Sequence, residues 1–375
     1  MNHPELSAWL RLLLTPGVGQ VSAHQLLRAF GSPESIFDHS HADLTTVVSP
    51  AQAQALSREP DELAALLDTT WDWLYESPET RQVLAIGDPL YPQSLLNTEG
   101  PPLLLYACGM PEVWQDDLLN ATSSHCLAMV GSRNPTPQGA ANARQFACAL
   151  AEAGVTVVSG MALGVDGAAH EGALEGAAPG RLATIAVVGT GLDRVYPKQH
   201  RDLAHRITQR GVILSEFALG TGPHAAHFPQ RNRIISGLSR GVLVVEAALQ
   251  SGSLITARLA ADQGREVYAI PGSIHSTQSR GCHALIKQGA KLVESAADVL
   301  EEMEWESVGT MPVESEEPPD SPLLQALGFD AVGLDALQAR TGIPTPELLA
   351  QLMTLELLGS VARLPGGLFQ RVAQA

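Results

Sequence analysis

The chain has 375 residues, enough for two or three domains, and 45% of them are hydrophobic, enough for a sizeable core. No run of about 18 apolar residues is present to span a membrane, and four cysteines without a CxxC pair favour reduced cytoplasmic thiols over a disulfide framework or a zinc site. The net charge of −17 weighs against an anionic partner until it is divided by region: residues 1–119 carry 4 basic and 16 acidic side chains, 120–300 carry 16 and 12, and 301–375 carry 3 and 12. The middle is a mildly basic island, and local field rather than global charge steers a ligand.

The start of the chain, MNHPELSAWLRLLL, lacks a basic segment followed by an apolar run and a cleavage site, so no signal peptide is expected. Residues 1–70 read as a small helical domain, with Leu6, Leu10, Leu13 and Leu14 at helical spacing. The segment Thr15-Pro16-Gly17-Val18-Gly19 is similar to a helix-hairpin-helix turn, but the acidity of the region favours an ordinary helix–helix turn. Prolines 78, 89, 92, 101, 102 and 111 predict an extended connector over 71–119.

From 120 to 300 the pattern is apolar run, Gly-rich loop, helix, repeated. The runs Cys126–Val130, Val155–Val158, Thr184–Val188, Val212–Leu214, Val242–Val245 and Val267–Ile270 do not alternate in polarity, as expected of strands buried on both faces. The predicted fold is α/β, a Rossmann-like doubly wound parallel sheet. Helices are predicted between the runs, including Ile234–Leu238 after a polar loop. Residues 301–322 are acidic and proline-bearing and read as a flexible linker. Residues 323–375 read as a winged helix whose third helix, PELLAQLMTLELL, carries no Lys or Arg. That favours protein contact or packing over base reading.

Ligands of open α/β sheets bind beyond the carboxyl ends of the strands. Gly131, Ser132 and Arg133 follow the first run and suit an anion held at a helix start; the alternative is a tight turn with a capping Arg. In SGMALGVDGAAH, Asp166 fits a helix cap and His170 a packed, hydrogen-bonded histidine. Asp193, Arg194, Tyr196 and Lys198 add polar reach after the third run. His224 and His227 lack the glutamate and the helical setting of HExxH, so no metal is expected there. Phe228, in a polar loop, is either a buried staple or a face on which a base stacks, and Arg231 and Arg233 beside it strengthen the second possibility. Gly252, Ser253 and Thr256 stand at another helix start, a phosphate cradle or a simple cap. No G-x-S-x-G elbow or Walker motif occurs; Glu216, Glu246 and Asp166 are the available acids or bases, without a nucleophile constellation around them.

The succession GSRNPTPQG, SGMALGVDGAAHEGAL, GTGLDRVYP, SEFALG, HFPQRNRIISGLS, SGSLITARLA, GREVYAIPG and SRGCHALIKQGA resembles the DNA-processing protein A (DprA/Smf) family over about residues 85–300. The pairing of FPxRNRII with GSLITA is its specific part. The resemblance implies an extended Rossmann core that binds single-stranded DNA without catalysis or cofactor. It also implies a role in natural transformation, protection of incoming strands, loading of the recombinase RecA, and a homodimer formed through the core. By position it implies a DNA-binding set of Gly131, Ser132, Arg133, Lys198, Phe228, Arg231, Asn232, Arg233, Gly252, Ser253, Thr256 and Lys287, with Phe228 on a base. The chain departs from the family pattern at Phe217-Ala218-Leu219, where a proline is common, and at Glu171, where a basic residue is frequent. Two other classes remain open at this point. One is a phosphoribohydrolase-like nucleotide enzyme, which would carry PGGxGTxxE where this chain has EAALQSGSLITA. The other is an assembly protein acting through the winged helix.

Overall fold

The structure is a computed structural model that describes residues 1–305, 322–364 and 366–372. Residues 306–321, most of the expected linker, lie outside the described residues. Seven parallel strands form the centre of one sheet: β3 (Cys126–Val130), β4 (Thr156–Ser159), β5 (Thr184–Val187), β6 (Gly211–Ser215), β7 (Gly241–Val244), β8 (Glu266–Ala269) and β9 (Lys291–Leu292). Two antiparallel strands, β1 (Arg81–Ala85) and β2 (Leu104–Gly109), extend it beside β6, so the proline-rich stretch contributes sheet as well as connection. The full order is β1-β2-β6-β5-β4-β3-β7-β8-β9.

Both faces of the central strands, β3 to β7, are dry. On β3, Leu127 and Met129 enter one apolar cluster, while Cys126, Ala128 and Val130 enter the other. A strand clothed on both faces has no polar side to show, which is why these runs lack alternation. The chain winds outward from β3 through β4 and β5 to β6, then crosses to β7 and winds the other way. The loops after β3 and β7 therefore diverge, and the reversal of winding opens a crevice at the carboxyl edge.

The N-terminal helices begin at His3–Leu14, whose start is closed by a capping box between Asn2 and Glu5. Leu6, Leu10 and Leu12 of this helix share a core with Val83, Ala85, Leu104 and Tyr106 of β1 and β2. In the turn at Thr15–Gly19, Gln52 donates to the Gly17 carbonyl at 2.8 Å, so that carbonyl is spent inside the domain.

The C-terminal unit holds helices Pro322–Leu327, Leu334–Thr341 and Thr345–Leu357 with strands β10 (Val332–Gly333), β11 (Val361–Leu364) and β12 (Leu368–Arg371) in the order β10-β12-β11. It is a winged helix with its own core of Leu323, Leu337, Leu348, Leu352 and Phe369. Its third helix exposes Leu349, Met353 and Leu357 and no cation.

Candidate nucleic-acid interface

The stretch expected as a loop ahead of a helix at Ile234 is itself helical. The helix spans His227–Gly237, with Pro229 in its first turn, where a missing N–H costs nothing. This changes what its side chains can reach. Phe228, Arg231 and Asn232 are three and four residues apart and share one face. Arg233 points elsewhere.

That shared face lines a cavity of about 560 Å³ at the switch point. Opposite it stand Gly131, Ser132 and Arg133 after β3, and Gly252, Ser253 and Thr256 at the start of the helix Ser253–Asp262. Nine of the twelve expected residues thus meet. Backbone bonds fix the loops to one another. Ser132 N donates to Glu246 O at 2.7 Å, and Val165 N to Ser132 O at 3.1 Å. The Glu246 carboxylate accepts from Thr136 N at 2.9 Å and from Thr136 Oγ1 at 2.5 Å. Thr136 in turn caps the helix Pro137–Glu152. Gly164, at φ +84°, leaves no space for a side chain against Ser132 O. The crevice is therefore built before any ligand arrives.

Arg133 is exposed, and its guanidinium carbon lies 5.1 Å from the centroid of the half-buried Phe228 ring. The ring is no buried staple. Tyr196, 45% exposed, approaches it at 5.9 Å. Phe228 and Arg133 together form a partition, because a second cavity of about 280 Å³ lies beyond them, toward Gly160, Thr190 and Tyr196.

Arg231 is 5% exposed and deeply engaged. Its Nη1 donates to Val187 O at 2.6 Å, and its Nη2 lies 3.7 Å from Asp166 Oδ2. A Cβ on Gly160 would fall 1.6 Å from that Nη1. Asp166 is not the helix cap; it accepts from Ala162 N at 3.3 Å across its own loop. Burial pushes the Asp166 carboxyl up while Arg231 pulls it back, and burial pushes Arg231 down. Asn232 Nδ2 reaches Gly252 O at 3.5 Å, joining the two walls of the larger cavity. Among the hydroxyls of the opposite wall, Ser253 bonds Ser251 at 2.7 Å. The Leu254 and Ile255 amides are taken by Ser251 and Gly252 carbonyls at 3.1 Å, so this helix start offers side chains more than free amides.

Three of the expected residues stand outside both cavities. Arg233 is paired with the largely covered Glu216, to which Gln20 of the N-terminal helices also donates at 3.4 Å. Lys198 is exposed just past the smaller cavity, in the turn that carries Tyr196. Lys287 ends the helix Arg280–Lys287, which returns the chain toward the amino end of β9, away from the carboxyl edge. His170 is fully buried with Nδ1 2.7 Å from Thr184 Oγ1. His227 stacks on Phe217 at 4.2 Å, so the departure at Phe217 is absorbed by a ring contact with the helix that carries Phe228. Glu171, the other departure, pairs with Arg206 at 3.2 Å on the surface. Asn134, Thr190, Tyr196 and Gln278 also line the cavities without figuring in the expected set. Of these, Tyr196 is among the residues the sequence offers for polar reach, and Asn134 could have been found because it adjoins Arg133.

Two family models match the chain. One, described as DNA recombination-mediator protein A, covers residues 82–304, and the other, the DprA winged helix domain, covers 310–367. The chain belongs to the DNA recombination-mediator protein A (DprA/Smf) family. It is 42% identical over 312 residues to Protein Smf of Escherichia coli K12, across 80% of each chain. It is 46% identical over 221 residues to DNA processing protein DprA of Streptococcus pneumoniae R6, across 59% of this chain and 74% of that one. The X-ray structure of DprA from Streptococcus pneumoniae superposes with a TM-score of 0.66 at 36% identity, over 80% of this chain and 98% of that one. A second structure, described as giving insight into the single-stranded DNA binding mode of DNA processing protein A from Helicobacter pylori, superposes at 0.52 and 30% identity. It covers 60% of this chain and 97% of that one. The family match runs through every loop that builds the two cavities, and membership places the chain among DNA-processing proteins.

Proposed function

We propose that this chain binds single-stranded DNA in the crevice at the carboxyl edge of its sheet and hands the strand on for recombination, without chemistry of its own. The observation that carries the reading is the Phe228–Arg133 partition, an aromatic ring beside an exposed guanidinium between two cavities. A π-face serves any base, and an adjacent cation serves the phosphate or stacks in its turn. Double-stranded DNA keeps its bases paired and stacked, so a site that works through base faces discriminates against it. The subject of the Helicobacter pylori relative's structure supports the same ligand.

The non-catalytic part of the reading rests on the carboxylates. Asp166, Glu216 and Glu246 are each committed to holding a neighbour: Arg231, Arg233 and Thr136. None stands free beside a nucleophile. Within the crevice Arg133, Phe228, Asn232, Ser253 and Thr256 are assigned to the strand, with Gly131, Ser132 and Gly252 allowing its close approach. Arg231 acts as the buried brace behind them, and Lys198 reaches phosphates at the margin. Arg233 and Lys287 act elsewhere in the fold. Delivery to a RecA-type recombinase by a cytoplasmic homodimer, in natural transformation, completes the reading; the family's description as a recombination mediator supports the delivery step.

Titration with labelled single- and double-stranded oligonucleotides at several salt concentrations tests the core of the proposal. Single strands bind more tightly, with log affinity falling against log salt by about 0.7 per phosphate neutralised. Equal affinity for the two forms would overturn it. Faster RecA assembly on strands coated with single-strand-binding protein tests the delivery step.

A further inference from the structure

The smaller cavity is unused if the strand lies only in the larger one. It holds about 280 Å³, room for a single planar ring system rather than a length of chain. Three features suit it to a base. Phe228 and Arg133 wall it on one side, and Tyr196 supplies a second aromatic face 5.9 Å from the Phe228 ring. Thr190 is 2% exposed and lines the cavity, and its Oγ1 has no hydrogen-bond partner among the described residues. Arg231 Nε is buried at the same wall and is also without a partner.

Buried polar atoms are ordinarily satisfied, because leaving one unpaired is costly. Two such atoms on the wall of an aromatic-sided cavity describe a ligand with a flat apolar face and a polar edge. The edge must include an acceptor for Arg231 Nε–H, while the Thr190 hydroxyl serves as donor or acceptor. A nucleobase has both features. We propose that the smaller cavity receives a second base of the bound strand, so that the Phe228–Arg133 partition stands between two neighbouring bases. The inference rests on the single-strand reading above and deepens it: the site reads bases in two chambers.

Two measurements on the full-length protein test this. A single-stranded oligonucleotide carrying 4-thiothymidine is cross-linked by light, and the modified peptides are mapped. Cross-links are expected both at Gly189–Tyr196 and at Ser251–Thr256. In parallel, Thr190→Val removes the orphan hydroxyl at constant shape. It is expected to lower single-strand affinity about 3- to 10-fold, the worth of one hydrogen bond, with a melting temperature equal to or above that of the parent. Cross-links confined to Ser251–Thr256, or unchanged affinity of Thr190→Val, would overturn the second chamber while leaving the single-strand reading intact. Absence of any cross-link to the unsubstituted protein would overturn both.

Discussion

Arg133 and Arg231 line the same two cavities and do different work. Arg133 is free of any ion pair among the described residues and is held only by the Phe228 ring. Arg133→Ala is expected to weaken single-strand binding and to flatten its salt dependence by about 0.7 in slope, one phosphate contact. Phe228→Ala is expected to cost about 1–3 kcal/mol of binding, the worth of a stacked base, with little change in slope. Equal slope changes in the two variants would contradict the division. Arg231 is chiefly a brace of the fold, through Nη1 and Nη2. Arg231→Ala leaves Asp166 buried without its partner, a loss of about 3–5 kcal/mol in stability that urea denaturation would register. Gly160→Ala acts on the same brace from outside, because its methyl occupies the space of the guanidinium. A variant with parental stability would show that Arg231 has somewhere else to go. The sequence marked Arg133 as a phosphate ligand by its place at a helix start and Arg231 by its place beside Phe228, because residue type and local position are all it displays. Which of them is solvated depends on loops 44 and 65 residues away, at Val187 and Asp166.

At the scale of elements, the crevice depends on one helix start and one acid. Thr136 caps the helix Pro137–Glu152, and Glu246, arriving from the end of β7, grips Thr136 from the other side of the switch point. Thr136→Ala is expected to cost about 1 kcal/mol, a lost cap. Glu246→Ala loses charged hydrogen bonds and is expected to cost about 2 kcal/mol, with weaker single-strand binding because the β3 and β7 loops separate. Equilibrium unfolding and titration of the two variants check this; a Glu246→Ala protein with intact affinity would show that the loops hold without it. The strands and most helices were legible in the sequence, since apolar runs and glycine loops recur at short intervals. The helix at His227 was not. Its polar face reads as a loop because that face points into a cavity, where the usual apolar stripe is replaced by Phe228, Arg231 and Asn232.

For the whole molecule, burial of His170 makes stability depend on pH. Desolvation drives its pKa down to about 3, from the ordinary histidine value of 6.5. Between those values the unfolded chain takes a proton that the folded one refuses. This contribution is therefore complete above about pH 6.5 and is lost as the pH falls toward 3, at about 1.4 kcal/mol per unit. Between pH 7 and pH 5, about 2 kcal/mol of the parent's loss in unfolding free energy is expected to vanish in His170→Asn. An identical loss in both proteins would show that His170 charges without difficulty. Charge is distributed on the same scale. The acidic flanks leave the basic residues concentrated between 120 and 300, and the third helix of the winged helix carries no cation.

The sequence by itself determined the doubly wound sheet, the winged helix, the family and the strand ends that border the crevice. Each is a property of local pattern, written in the spacing of apolar residues and glycines. Only the tertiary structure decided which polar side chains line the crevice. The helical phase from His227 turned Arg233 toward Glu216 and Phe228 toward Arg133. The winding of the sheet carried Lys287 to the far edge, and the closeness of Gly160 buried Arg231. These outcomes depend on residues distant in sequence meeting in space, so the basic cluster at 228–233 resolved into an aromatic partition, a buried brace and an ion pair tied to the N-terminal helices.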